Sequence, residues 1–148
     1  MSGARAAAAA LLVVIAVAGC SAPLTGDDLH LCNAAQLLSA SIAITEETFL
    51  VGMDDRPEQA VERAVQALGL AESASRELHD VGGATTRAAP GWQSLIRAYK
   101  HAAEAANSLF PEFEQVDVSG RESLLAARDA LDGARVEVPA SCFTLAAQ

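Results

Sequence analysis

Apolar residues recur at intervals of three and four along most of the chain beyond residue 26. The runs are separated by Gly and Pro. Leu31, Ala35, Leu38, Ile42, Thr45 and Phe49 form the first stripe. Such spacing puts all six on one face of an α-helix. Asp27 or Asp28 offers a cap at its start, and Gly52 offers a stop. A second helix is expected after Asp54-Asp55-Arg56-Pro57, where acidic residues precede a proline suited to a first turn. Its stripe is Val61, Ala64, Val65, Leu68, Ala71, Leu78 and Val81, ending at Gly82-Gly83. Glu72 and Arg76 are placed for an i,i+4 ion pair on its outer side.

Thr85 to Gly91 reads as a loop or a loose first turn. The third stripe has the cleanest periodicity: Trp92, Leu95, Ile96, Tyr99, Ala102, Ala103, Ala106, Leu109 and Phe110. Pro111 ends or kinks it. Phe113 and Val116 lie in an ambiguous stretch and are expected to pack back. Ser119-Gly120-Arg121-Glu122 has the spacing of a capping box. The fourth helix then carries Leu124, Leu125, Arg128 and Leu131 and stops near Gly133. The tail from Val136 to Gln148 contains Pro139 and Cys142 and is expected to be irregular. Only Val136-Glu137-Val138 alternates as a strand would, and it is too short. The expected fold is all-α, an antiparallel four-helix bundle with a C-terminal tail.

The first twenty residues are patterned differently. Met1 to Arg5 carries one positive charge. Ala6 to Ala18 is an unbroken apolar run, followed by Gly19 and Cys20. A basic start, a short apolar run and small residues before a cut describe a secretory signal peptide. The run is shorter than the roughly 20 residues of a spanning helix. The sequence Val17-Ala18-Gly19-Cys20 resembles the lipobox of bacterial lipoproteins, departing from the usual pattern in Val17 where Leu is commoner. The resemblance covers these twenty residues only. It implies a diacylglyceryl group on the Cys20 sulfur and cleavage just before Cys20. An ordinary signal peptide cut nearby would instead leave Cys20 a plain thiol. The expected division is residues 1–19 as signal, 20–26 as lipidated cysteine and tether, and 27–148 as an acidic helical domain.

Composition bears on the partners. Cleavage removes nineteen of 148 residues, including Arg5, and takes the net charge from −9 to −10. Anionic lipid repels such a domain, so the membrane partner is reached through the lipid on Cys20. No basic patch exists to neutralise phosphates, which excludes nucleic acid as the expected partner. An envelope protein remains a candidate partner. Lys100 is the only lysine against nine arginines. With abundant alanine, that usage fits a high-GC Gram-positive bacterium, which places the protein on the outer face of the cytoplasmic membrane. In a Gram-negative cell the place would be the outer membrane.

Two further cysteines, Cys32 and Cys142, remain in an exported chain and read as one disulfide. It would pin the tail against the first helix. A reactive dyad of His30 with Cys32 has poor helical geometry. Little else in the chain suggests chemistry. There is no Glu-x-x-His pair of the kind di-iron bundles use, no calcium loop at Asp54-Asp55, no Gly-x-Ser-x-Gly, no Ser-x-x-Lys and no phosphate-binding glycine motif. His30, His79 and His101 share no regular spacing. Glu58 and Glu62 read as a solvated face, and Trp92 with Tyr99 as core anchors. No catalytic residue, metal ligand or cofactor is expected. The expected function is a non-enzymatic helical interaction or structural domain, with a small-ligand or metal-ion binding lipoprotein as the alternative.

Overall fold

The computed structural model describes residues 26–51, 57–110 and 116–144, and among them every regular element is helical. Four helices are long: α1 (Gly26–Val51), α2 (Pro57–Asp80), α4 (Pro90–Asn107) and α5 (Val116–Arg135). Two are short: α3 (Ala84–Ala88) and α6 (Ser141–Thr144). Cross-helix partners give the directions. His30 meets Glu77, Ser41 meets Ala67 and Glu47 meets Arg63, so α1 and α2 run antiparallel. Glu104 meets Ser123 and Ser94 meets Glu137, so α4 and the α5 end of the chain also run antiparallel. Glu46 meets Arg128, and Cys32 is bonded to Cys142, which sets α5 antiparallel to α1 and brings α6 against the first half of α1. Helices α2 and α4 pack together, and α1 also touches α4.

Alanine builds much of the core. On α2 the buried positions are Ala60, Ala64, Ala67, Ala71, Ala74 and Leu78, continued by Val81 just past its end. Their spacing alternates four and three. The α5 side repeats the pattern with Gly120, Leu124, Ala127, Leu131, Ala134 and Val138. A mean repeat of 3.5 keeps one seam facing a partner helix, and small side chains on it let the backbones approach. At one such approach Ser41 Oγ donates to the Ala67 carbonyl at 2.7 Å across the α1–α2 seam. The other buried hydroxyls on α1 are satisfied within the helix: Thr45 donates to Ser41 O and Thr48 to Ile44 O. Helix α1 is apolar on most sides, and it contacts all three other long helices, as α4 also does. A helix patterned that way belongs in the interior of an assembly.

Several expectations are corrected. Val65 and Leu125 are 58% and 60% exposed, while Ala67 and Ala74 take the inward places. Bulk misled the choice, because the seam selects small residues. The stretch after Gly83 contains α3, and α4 starts at Pro90, with the proline in the first turn. Ser119–Glu122 is not a helix start: α5 already runs from Val116. Gly120 faces α4, where an added Cβ would lie 2.8 Å from Ser108 Cβ and 2.9 Å from Phe49 Cζ. The expected fourth helix, α5, does end near Gly133, at Arg135. The tail is not wholly irregular, since it folds into α6. Arg76 donates to Ser73 Oγ at 3.0 Å in place of the expected pairing with Glu72. Gly52, Asp54, Asp55, Pro111 and Phe113 lie outside the described residues.

Candidate functional site

Cys20 and the lipobox lie outside the described residues, so the structure speaks to the domain that follows. Cys32 and Cys142 are joined by a disulfide across 110 positions, with Cα atoms 4.6 Å apart and both residues buried. Gln36 Nε2 adds a bond to the Cys142 carbonyl at 3.3 Å. The bridge is structural, and it removes the thiol that a dyad with His30 would need.

The densest polar cluster is the corner where α2 turns into α3. The α2 helix ends at Asp80, and its freed carbonyls need donors. Trp92 Nε1 donates to Leu78 O at 3.0 Å, Arg87 Nη2 to His79 O at 3.2 Å and Arg87 Nε to Val81 O at 2.8 Å. The N–H groups of the same turn need acceptors. Asp27, from the first turn of α1, takes them: Gly82 N donates to Oδ1 at 3.0 Å and Gly83 N to Oδ2 at 3.3 Å. Thr86 Oγ1 donates to the same Oδ2 at 3.0 Å. Asp27 was expected to cap its own helix and instead ties down a turn more than fifty residues away. The Gly82 backbone bond and the Thr86 hydroxyl, then Gly83 and the charge of His30, hold its carboxyl below the ordinary 3.8.

His30 sits one turn further along α1. Its Nδ1–H donates to Glu77 Oε2 at 2.7 Å, and Asn33 Nδ2 donates to the same oxygen at 3.4 Å. That hydrogen bond, joined by the charges of Glu77, Asp80 and Asp27, raises His30 above its ordinary 6.5 despite some desolvation. Of the other histidines, His101 pairs with Glu104 on the same helix, and His79 is exposed. Among the described residues no three His, Cys, Asp or Glu side chains gather to hold a metal ion. Glu58 and Glu62 are exposed, as expected of a solvated face. Trp92 and Tyr99 are partly buried against the core, with the indole N–H spent on Leu78.

Grooves open between helices among the described residues. A cavity of about 260 Å³ between α1 and α2 is lined by Asn33, Gln36, Leu37, Ala40 and Glu77. A larger one of about 390 Å³ lies between α1 and α5. Its lining is mostly polar, from Ser39, Glu46, Arg128, Asp132 and Arg135, with Ala43 and the nearly buried Ile42 and Leu131 contributing little apolar surface. Glu46 and Arg128 are paired at 2.8 Å across it. Sequence reasoning missed this groove, as it missed Glu77 and Arg87. Only the i,i+7 spacing of Arg128 and Arg135 hinted at a charged edge. No helix among the described residues is long and apolar enough to cross a membrane. Comparison with family models, curated proteins and solved structures finds no match to this chain.

Proposed function

We propose that the chain is a bacterial lipoprotein, held through lipid on Cys20, whose long helices form an antiparallel four-helix bundle. The bundle acts as a non-enzymatic interaction or structural domain at the outer face of the cytoplasmic membrane. The observation that carries the reading is Val17-Ala18-Gly19-Cys20 directly after an unbroken apolar run. Two acyl chains anchor stably where one gives only marginal binding. The acidic domain supplies no electrostatic attraction to anionic lipid, so the acyl chains carry the anchoring. Five residues, Ser21 to Thr25, separate Cys20 from Gly26, the first residue of α1. They reach at most about 20 Å, which keeps the Asp27 corner close to the bilayer. The alternation of helix directions from α1 through α2 and α4 to α5 supports the bundle topology.

The test is Cys20→Ala followed by cell fractionation. The unchanged protein is expected in the membrane fraction, labelled by a palmitate analogue and shortened by its signal. The variant is expected to lose the label and to keep the signal. A variant that is processed and membrane-bound as before would overturn the anchor. A second reading, a small-ligand binding lipoprotein, is favoured by the α1–α5 groove, where Glu46, Arg128, Asp132 and Arg135 converge on one opening between helices.

A further inference from the structure

We infer that the α1–α5 groove is a binding site for a short zwitterionic peptide, its ammonium end held by Glu46 and its carboxylate end by Arg135. This deepens the second, ligand-binding reading and rests on it. The groove's volume of about 390 Å³ falls in the range of roughly 300–1,000 Å³ typical of small-molecule sites. Its two helices run antiparallel, so Glu46 stands opposite Arg128 while Arg135 stands seven residues further along α5, beside Ser39. Seven residues of helix advance about 10 Å. Between the two ends the lining is mostly polar, with Arg128 and Asp132 on α5 and only a little apolar surface from Ile42, Ala43 and Leu131. Charges of opposite sign about 10 Å apart, joined by a polar backbone that suits the polar lining, describe an extended peptide of about three residues with small side chains, at roughly 3.3–3.6 Å per residue.

The charged groups are available for exchange. Glu46 and Arg128 are 37% and 50% exposed, and an exposed pair of this kind holds little energy against a competing ligand. Asp132 reaches Arg135 Nε only at 3.5 Å. A charge-assisted bond of this type is usually about 2.7–2.9 Å. No other hydrogen bond or ion pair engages Arg135 among the described residues. Its planar fork suits two parallel bonds to a ligand carboxylate. Behind it, the Phe143 ring lies 5.1 Å from the guanidinium carbon, a cation–π distance. Phe143 follows Cys142, so the disulfide holds the ring that steadies Arg135. This gives α6 a role in the site as well as in the fold.

The experiment is calorimetric titration of the full chain in detergent with trialanine as the probe. Saturable binding is expected, weakened about tenfold or more by Arg135→Gln and by Glu46→Gln, the cost of one lost charge-assisted contact. The same peptide acetylated and amidated at its ends is expected not to bind. Arg76→Gln, on α2 and away from the groove, is expected to bind as the unchanged protein does. Circular dichroism of each variant establishes that it is folded. Absence of saturable heat up to about 10 mM trialanine, equal binding of the capped peptide, or full binding by folded Arg135→Gln would each overturn the inference. None of these outcomes touches the anchor, which the fractionation of Cys20→Ala decides separately.

Discussion

Asp27 and His30 lie one turn apart on α1, and both bond to the far end of α2, but they respond to pH in opposite directions. Asp27 has its carboxyl lowered, chiefly by the bond from Gly82. Its contribution is therefore present above the ordinary 3.8 and lost as pH falls through the lower folded value. His30 is raised, chiefly by its bond to Glu77. Its contribution is complete below the ordinary 6.5 and lost as pH rises through the higher folded value. Both operate together between 3.8 and 6.5. The melting temperature of the protein is expected to fall modestly as pH climbs above that window, because both groups are partly solvent-accessible. Glu77→Ala should flatten the alkaline fall and bring the His30 proton titration, followed by NMR, back toward its ordinary midpoint. An unshifted His30 in the unchanged protein would refute the pairing. Asp27→Ala should lower the melting temperature at neutral pH and speed exchange of the Gly82 and Gly83 amides. An effect confined to the first turn of α1 would mean that the aspartate caps its own helix after all.

At the scale of elements, the seams are set by what is small. Ala67 is fully buried and Ser41 touches its carbonyl, so Ala67→Leu has no space to occupy. It is expected to destabilise by about 1–3 kcal/mol, the usual cost of overfilling a packed interface. Val65→Ala, two positions away at an exposed site, should stay within about 0.5 kcal/mol. Gly120→Ala should cost about 1–3 kcal/mol as well, by driving α5 from Ser108 and Phe49. Urea unfolding distinguishes these outcomes, and equal midpoints for Ala67→Leu and Val65→Ala would refute the assigned seam. The same contrast marks what was legible in the sequence. Three- and four-residue spacing located the long helices, because periodicity is a property of each helix alone. It did not choose between Val65 and Ala67, since inwardness depends on how near the partner helix comes. Ser119-Gly120-Arg121-Glu122 has a capping pattern, but helical turns precede it, and the glycine is used for close approach. Of the candidate site, Cys32 with Cys142 was readable from the cysteine count and the expectation of export that the first twenty residues raise. Asp27 at Gly82, and Glu46 opposite Arg128, were not, because nothing local in sequence ties residues more than fifty positions apart.

For the molecule as a whole, the disulfide joins the first long helix to the last short one. Cys32 lies in α1 and Cys142 in α6, so the bridge encloses α2 to α5 and restrains nearly the whole domain when it unfolds. A loop of about 100 residues is worth up to roughly 4.7 kcal/mol in chain entropy, and loss of a native bridge from a small exported domain typically costs about 2–5 kcal/mol. Packing within the folded state should suffer much less, because most of the core cluster that Cys32 and Cys142 share is Ala, Leu and Ile side chains. Cys32→Ala with Cys142→Ala is therefore expected to keep its helical circular dichroism at 25 °C while its unfolding midpoint drops. Reductant should lower the midpoint of the unchanged protein toward that of the double variant and leave the variant itself unaffected. Hydrogen exchange should quicken first at α6 and at the Gln36 bond to the Cys142 carbonyl, ahead of the α1–α2 seam. Oxidised protein that melts together with the double variant would mean that the bridge restrains nothing the helices do not already hold. In that event Phe143 would stay on Arg135 without covalent help, and peptide binding in the α1–α5 groove would survive reduction.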